Sequence, residues 1–107
     1  MNSYGIVYFN DIVCGKIEET DDGYIFKYES SYLLKPDAKA ISLNMTLSQE
    51  SYISNILHPF FDGLIPEGWL LEIAVNKWKI DRKDRMGLLL SVCEDCIGAV
   101  SIKGVVR

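Results

Sequence analysis

Two turn signals constrain the first half of this chain more than any other feature. Asn10-Asp11 and Asp21-Asp22-Gly23 each stand between runs of aromatic and β-branched residues. Such pairs favour the left-handed backbone of a tight hairpin, and glycine adopts it without steric cost. The flanking runs therefore read as paired strands: Tyr4 to Phe9, Ile12 to Glu18 with Gly15 marking a bulge, and Tyr24 to Tyr28. Lys35-Pro36-Asp37 marks a loop. Ala40 to Met45 then alternates Ile41, Leu43 and Met45 with polar residues, which predicts a fourth strand. Strands joined this tightly form an antiparallel meander.

The second half changes period. Ser51 to Leu57 suggests a short turn of helix, interrupted at His58-Pro59 because a residue before proline avoids the α region. Phe60-Phe61-Asp62-Gly63-Leu64-Ile65 is densely apolar. Pro66 suits the first position of a helix and Glu67 its positive end. That helix is expected to run to about Trp78 or Lys79, and Asp81 is the expected N-cap of another over 82–92. Ile97 to Ile102 returns to β and closes the sheet. The reading is one α+β domain over residues 1–107, a small antiparallel sheet of about five strands packed with two or three helices.

Composition narrows the function. Half the residues are hydrophobic (49%) and 24% charged, enough for a proper core and against disorder. Eleven bases against 15 acids leave a net charge of −4, the opposite of the surplus that general nucleic-acid binding requires. No apolar run is long enough to span a membrane, and the N-terminus lacks the basic and apolar regions of a secretory signal. Three cysteines, Cys14, Cys93 and Cys96, form no disulfide framework, so a reducing cytoplasm is the expected compartment.

Catalytic constellations are missing from the sequence. Cys93 and Cys96 make a single C-x-x-C, but structural zinc needs four ligands, and the flanking acids Glu94 and Asp95 would raise the thiol pKa. They read as ordinary cysteines, not as a metal or redox site. His58 beside Pro59 reads as a local hydrogen-bonding group rather than a general base. The acidic tip around Asp21-Asp22 lacks the spacing of a calcium loop, and Gly98 belongs to no phosphate-binding motif. No enzyme, metal or cofactor is expected. Charge is uneven, however: Lys77, Lys79, Arg82, Lys83 and Arg85 form a basic strip, either a solvated helical face or a dock for acidic or phosphate groups.

Trp69 is the most informative residue. At about 100° per residue from Pro66, Leu70, Leu71, Ile73, Ala74, Val75 and Trp78 share one broad arc, which should face the core. Trp69 falls roughly 140° from the centre of that arc, with Glu72, Asn76 and Lys79. Two readings stay open for it. The Phe60-Phe61 segment covers it, or it projects from the surface as an interface anchor.

Pro59 to Gly68, PFFDGLIPEG, resembles a motif in the small N-terminal subdomain of HipA-like serine/threonine kinases. Three further stretches agree in order. Gly23 to Tyr28 resembles the family's Gly-x-x-x-Phe-x-Tyr strand, Ala40 to Leu43 its Ile-Ser strand, and Asp95 to Val100 its Asp-x-x-Gly-Ala ending. Cys93 departs from the glycine usual there. The resemblance covers about residues 4–102 and excludes the longer ATP-binding core, before which the sequence ends at Arg107.

Free-standing versions of the subdomain resemble HipS, the small antitoxin of three-gene HipBST systems. The resemblance implies a protein that binds and inhibits a HipA-like, HipT-type kinase toxin in trans, with a HipB-like DNA-binding protein as a further component of a ternary complex. Contact with nucleic acid or membrane by this chain is not implied. Kinases of this kind act on aminoacyl-tRNA synthetases. The partner-binding residues expected are Glu67, Gly68, Trp69 and Glu72 at the helix start, with Phe60 and Phe61 before it. Gly68 permits close approach and Trp69 fills a pocket in the kinase cleft. The alternative is a non-inhibitory structural subunit that completes a split kinase.

Overall fold

The computed structural model describes residues 4–65, 68–81, 83–92 and 99–105; within these, the side chains of 68–70, 74, 78 and 92 fall outside the described set. Five antiparallel strands form one sheet in the order β4-β3-β2-β1-β5. They are β1 (Tyr4–Phe9), β2 (Ile12–Thr20), β3 (Gly23–Tyr28), β4 (Tyr52–Ser54) and β5 (Val100–Val105). Among the described residues four helices accompany them: α1 (Ser30–Leu33), α2 (Pro59–Asp62), α3 (Gly68–Trp78) and α4 (Arg85–Val92). The expected α+β class holds, with β1 and β3 close to their sequence-read bounds.

The turns work as their residues dictate. Asn10 and Asp11 both take positive φ, 49° and 66°, the signature of a two-residue hairpin turn of matching twist. Gly23 has φ 150°, and a Cβ there would lie 2.2 Å from the Ser54 carbonyl oxygen. Only glycine lets β4 come so near the β2–β3 hairpin. The bulge falls one residue before Gly15. Val7 pairs with Gly15 and Tyr8 with Val13, so Cys14 is the extra residue. Its carbonyl turns aside to accept the Glu29 N–H at 2.8 Å.

Pairing register sorts the sheet into two faces, because directly opposed residues point the same way. Val7, Ile17, Phe26, Tyr28 and Ile102 face inward, each at most 1% exposed. Phe61, Ile65, Met86, Leu88 and Leu89 complete the core from the helical side. Gly5 and Gly104 oppose each other, and a Cβ on either would press on Leu90, so α4 lies close against β1 and β5.

Several sequence expectations are corrected. Residues 40–45 form no strand: Ser42 and Met45 make one isolated bridge, Ile41 and Met45 are buried, and Leu43 is 96% exposed. Tyrosine hydroxyls replace the ladder here. Tyr28 Oη accepts the Ile41 N–H at 3.1 Å and donates to the Met45 carbonyl. Tyr32 Oη takes both backbone groups of Lys39, at 2.6 and 3.0 Å. Tyr52 Oη donates to the Thr46 carbonyl at 2.5 Å.

The expected helical turn over 51–57 is instead β4, whose Tyr52, Ile53 and Ser54 pair with Phe26, Ile25 and Tyr24. Aromatic and β-branched residues beside an unpaired β3 edge favour a strand over a lone turn of helix. The N-cap of α4 is Asp84, three residues beyond Asp81: its Oδ1 accepts the Gly87 N–H at 2.9 Å. Asp81 Oδ1 accepts the Lys83 N–H in a local turn instead. The one-turn helix α1 was not legible as a helix. Cys93, Cys96 and the rest of 93–98 lie outside the described residues.

Candidate functional site: the corner between α2 and α3

The corner is built on His58. Its Nδ1 accepts the Phe60 N–H at 3.0 Å, capping α2, with Pro59 at the first helical position where its missing N–H costs nothing. Burial pulls the His58 pKa below its ordinary value, which keeps the ring neutral and Nδ1 available as acceptor. The histidine is thus a structural cap, as its neighbourhood with proline suggested.

From this cap the two phenylalanines diverge. Phe61 is 0% exposed and packs on Phe26, ring centroids 5.4 Å apart. This corrects the expectation that Phe61 contacts a partner: it supports the corner from below. Phe60 is half-buried and meets Phe61 edge-to-face at 5.3 Å. Asp62 then ties α2 to α4 through its Oδ1 and Arg85 Nε, 2.7 Å apart. Both groups are partly solvated, so the pair fixes geometry more than it adds stability. It also removes Arg85 from the expected basic strip. Lys79 and Lys83 remain exposed, and Arg82 lies outside the described residues.

Helix α3 begins at Gly68. Its far end closes with Lys79 in the left-handed region (φ 56°) and the Ile80 N–H returning to the Val75 carbonyl at 3.3 Å. This Schellman geometry stops the helix where the sequence predicted. Glu67 and the Trp69 side chain lie outside the described residues. Glu72 is exposed, as expected.

Ile73 is the surprise. Placed on the core arc by the sequence, it is 50% exposed, while Leu71 and Val75 are half-buried. An arc of six apolar positions is wider than a neighbouring helix such as α4 can cover, so its far edge is left open. Four residues separate positions 69 and 73, so helical geometry puts them on one stripe. Ile73 therefore puts an exposed apolar side chain on the stripe that passes through position 69. The width of the apolar arc was the signal that could have found it.

Among the described residues no group of three or more histidines, cysteines or acids converges as a metal site would. No described helix is long and apolar enough to cross a membrane. Cys14 is buried and its thiol is pushed up to about 12 by desolvation, so it is an inert core residue.

A five-stranded antiparallel sheet backed on one face by short helices, with a capped, cross-tied corner at α2, is the architecture of this domain. Residues 5–103 match the family model of the HipA N-terminal domain, and the chain belongs to that family. An uncharacterized protein of Haemophilus influenzae is 32% identical over 99 residues, covering 92% of this chain and 90% of that protein. A solved structure of the N-terminal domain of HipA toxin superposes with a TM-score of 0.69 at 26% identity, covering 98% of this chain and 94% of that one.

Proposed function

We propose that this protein binds a HipA-type serine/threonine kinase toxin in the cytoplasm and restrains it in trans as an antitoxin. Its α2–α3 corner is presented to the kinase active-site cleft. Gly68 and Trp69 lead, Glu67, Glu72 and Phe60 flank them, and Phe61 holds the corner from beneath. The observation that carries this reading is the corner's construction: a capped helix, a fully buried phenylalanine and an Asp62–Arg85 tie aim α3 from a rigid base. A preorganised anchor loses little entropy on binding. Family membership supports the choice of partner, and inhibition by occupancy requires no chemistry of the chain's own.

Phosphorylation by the purified kinase, measured with and without saturating protein, tests the proposal. Inhibition is expected. Unchanged activity overturns it, and raised activity assigns the chain instead to completing a split kinase. Trp69→Ala should weaken inhibition by at least tenfold with an unchanged melting temperature. Ile73→Glu should weaken it less.

A further inference from the structure

The outer face of the sheet carries more apolar surface than an open face needs. Tyr4, Ile6, Tyr8, Ile25, Ile53 and Val105 all point away from the helices. Ile53 is 76% exposed. Across their middle runs a row of charge. Lys103 opposes Ile6, Ile6 opposes Lys16, and Lys16 opposes Lys27, so one cross-strand row spans four strands and holds three lysines. The row on one side is Val105, Tyr4, Glu18, Ile25 and Ile53; on the other side stand Ser101, Tyr8 and Val13.

Lys16 and Lys27 are directly opposed like charges, an arrangement that weakens a strand pair. Lys16 is partly answered within the chain, 3.7 Å from Glu18 and 5.1 Å from the Tyr4 ring centroid. Lys27 and Lys103 are exposed and have no ion-pair partner among the described residues. Beside Lys103, a groove of about 250 Å³ opens between Tyr8, Asp11 and Ser101. Three lysines against Glu18 and, at the groove, Asp11 contrast with the net charge of −4 on the chain.

We infer that this face is a second docking surface, seated on an apolar patch of the same kinase crossed by a line of carboxylates. The inference rests on the kinase-binding reading above and names where the remainder of the contact lies. Charge complementarity sets the partner's sign: carboxylates placed between Lys27 and Lys16, and over Lys103 on the side away from Asp11, relieve the repulsion and neutralise the row. The solved relative is the N-terminal domain of a toxin, one domain of a larger protein. An apolar sheet face is the part of such a domain that calls for cover.

Size agrees with a shared interface. Strands about 4.8 Å apart and roughly 20 Å long give this face on the order of 400 Å². A standard interface takes about 800 Å² from each partner, so this face alone supplies about half of one. Single-stranded nucleic acid is the rival occupant, since tyrosines and lysines also bind bases and phosphates. The aliphatic flanks and the short row disfavour it.

The test uses Lys27→Glu/Lys103→Glu in the full chain, two exposed positions whose change leaves the core intact. Calorimetric titration into the purified kinase should show Kd raised at least tenfold and a flatter salt dependence. Inhibition at saturating protein should remain complete. A Kd within twofold of wild type overturns the inference, as does a wild-type chain that fails to bind the kinase. Wild type that binds without inhibiting, with binding lost in the double variant, overturns the inhibitor reading and upholds this surface. Micromolar binding of a labelled twelve-nucleotide single-stranded RNA by wild type, abolished in the variant, assigns the lysine row to nucleic acid and overturns it too.

Discussion

From Tyr4 to Tyr28 the chain is held by its own backbone, strand paired to strand through two tight hairpins. Between Ser30 and Arg85 the helices and β4 keep their backbone bonds, but the segments that join them lean on side chains. Three tyrosine hydroxyls fix the 39–46 loop, the His58 ring caps α2, and Asp81 and Asp84 satisfy the N–H groups before and inside α4. Both stretches bury their apolar residues well. What separates them is how failure spreads. A ladder shares its load over many equivalent bonds, whereas each side-chain anchor is single and its loss strands specific buried groups.

Tyr28→Phe tests that contrast most severely. It leaves the Ile41 N–H and Met45 carbonyl buried without a partner, a cost of about 1–3 kcal/mol in denaturant unfolding. Amide exchange should quicken at Ile41 while the β1–β2 amides keep their protection. Equal loosening of both would show that loop and ladder are one cooperative unit. Burial raises the Tyr28 phenol to about 12, so this anchor should be indifferent to pH below about 10.

Asp84→Ala is a smaller probe, expected to cost about 1 kcal/mol as the loss of an N-cap. Asp81→Ala should cost less, since its bond lies in the turn before the helix. If Asp81 proved the more costly of the two, α4 would start where the sequence put it and not where the structure does.

The smallest effect is the pH dependence of the α2 cap. His58 has a lowered pKa when folded, so the unfolded chain binds the proton more readily. Its contribution to stability is therefore neutral above about pH 6.5 and turns unfavourable as pH falls below that unfolded value. His58→Asn keeps a capping side chain without a titrating one. Comparing unfolding midpoints of the two proteins between pH 7.5 and 5.5 should show wild type losing ground only in the lower part of that range. Parallel curves would remove His58 as the cause.

The same contrast explains what could be read from the sequence. Hairpins declare themselves locally, because Asn10-Asp11 and Asp22-Gly23 carry the backbone preference that makes the turn. Gly15 gave the bulge to within one residue. The 40–45 stretch misled because its alternation is real in sequence, yet its partner is the Tyr28 hydroxyl, with Tyr32 and Tyr52 holding the flanking Lys39 and Thr46, a long-range fact. Asp81 and Asp84 each suit a cap, and only the helix's packing chooses between them. The Phe60–Phe61 segment was legible as densely apolar, but which ring turned inward was not. Ile73 escaped because an amphipathic arc shows which side is apolar without showing how much of it a neighbour covers.

The extra residue at Cys14 carries one more consequence, best stated in the language of sequence comparison. With Cys14 bulged out, Lys16 faces solvent and Ile17 the core. Were Cys14 taken into the ladder, every later residue of β2 would change sides, turning lysine inward and isoleucine out. A relative that simply lacks this position would keep the same pairing and the same outer row of charge. A one-residue gap opposite Cys14 in an alignment therefore keeps the register at the loss of one buried side chain and the bond to Glu29, whereas the same gap two positions later rewrites both faces of the sheet.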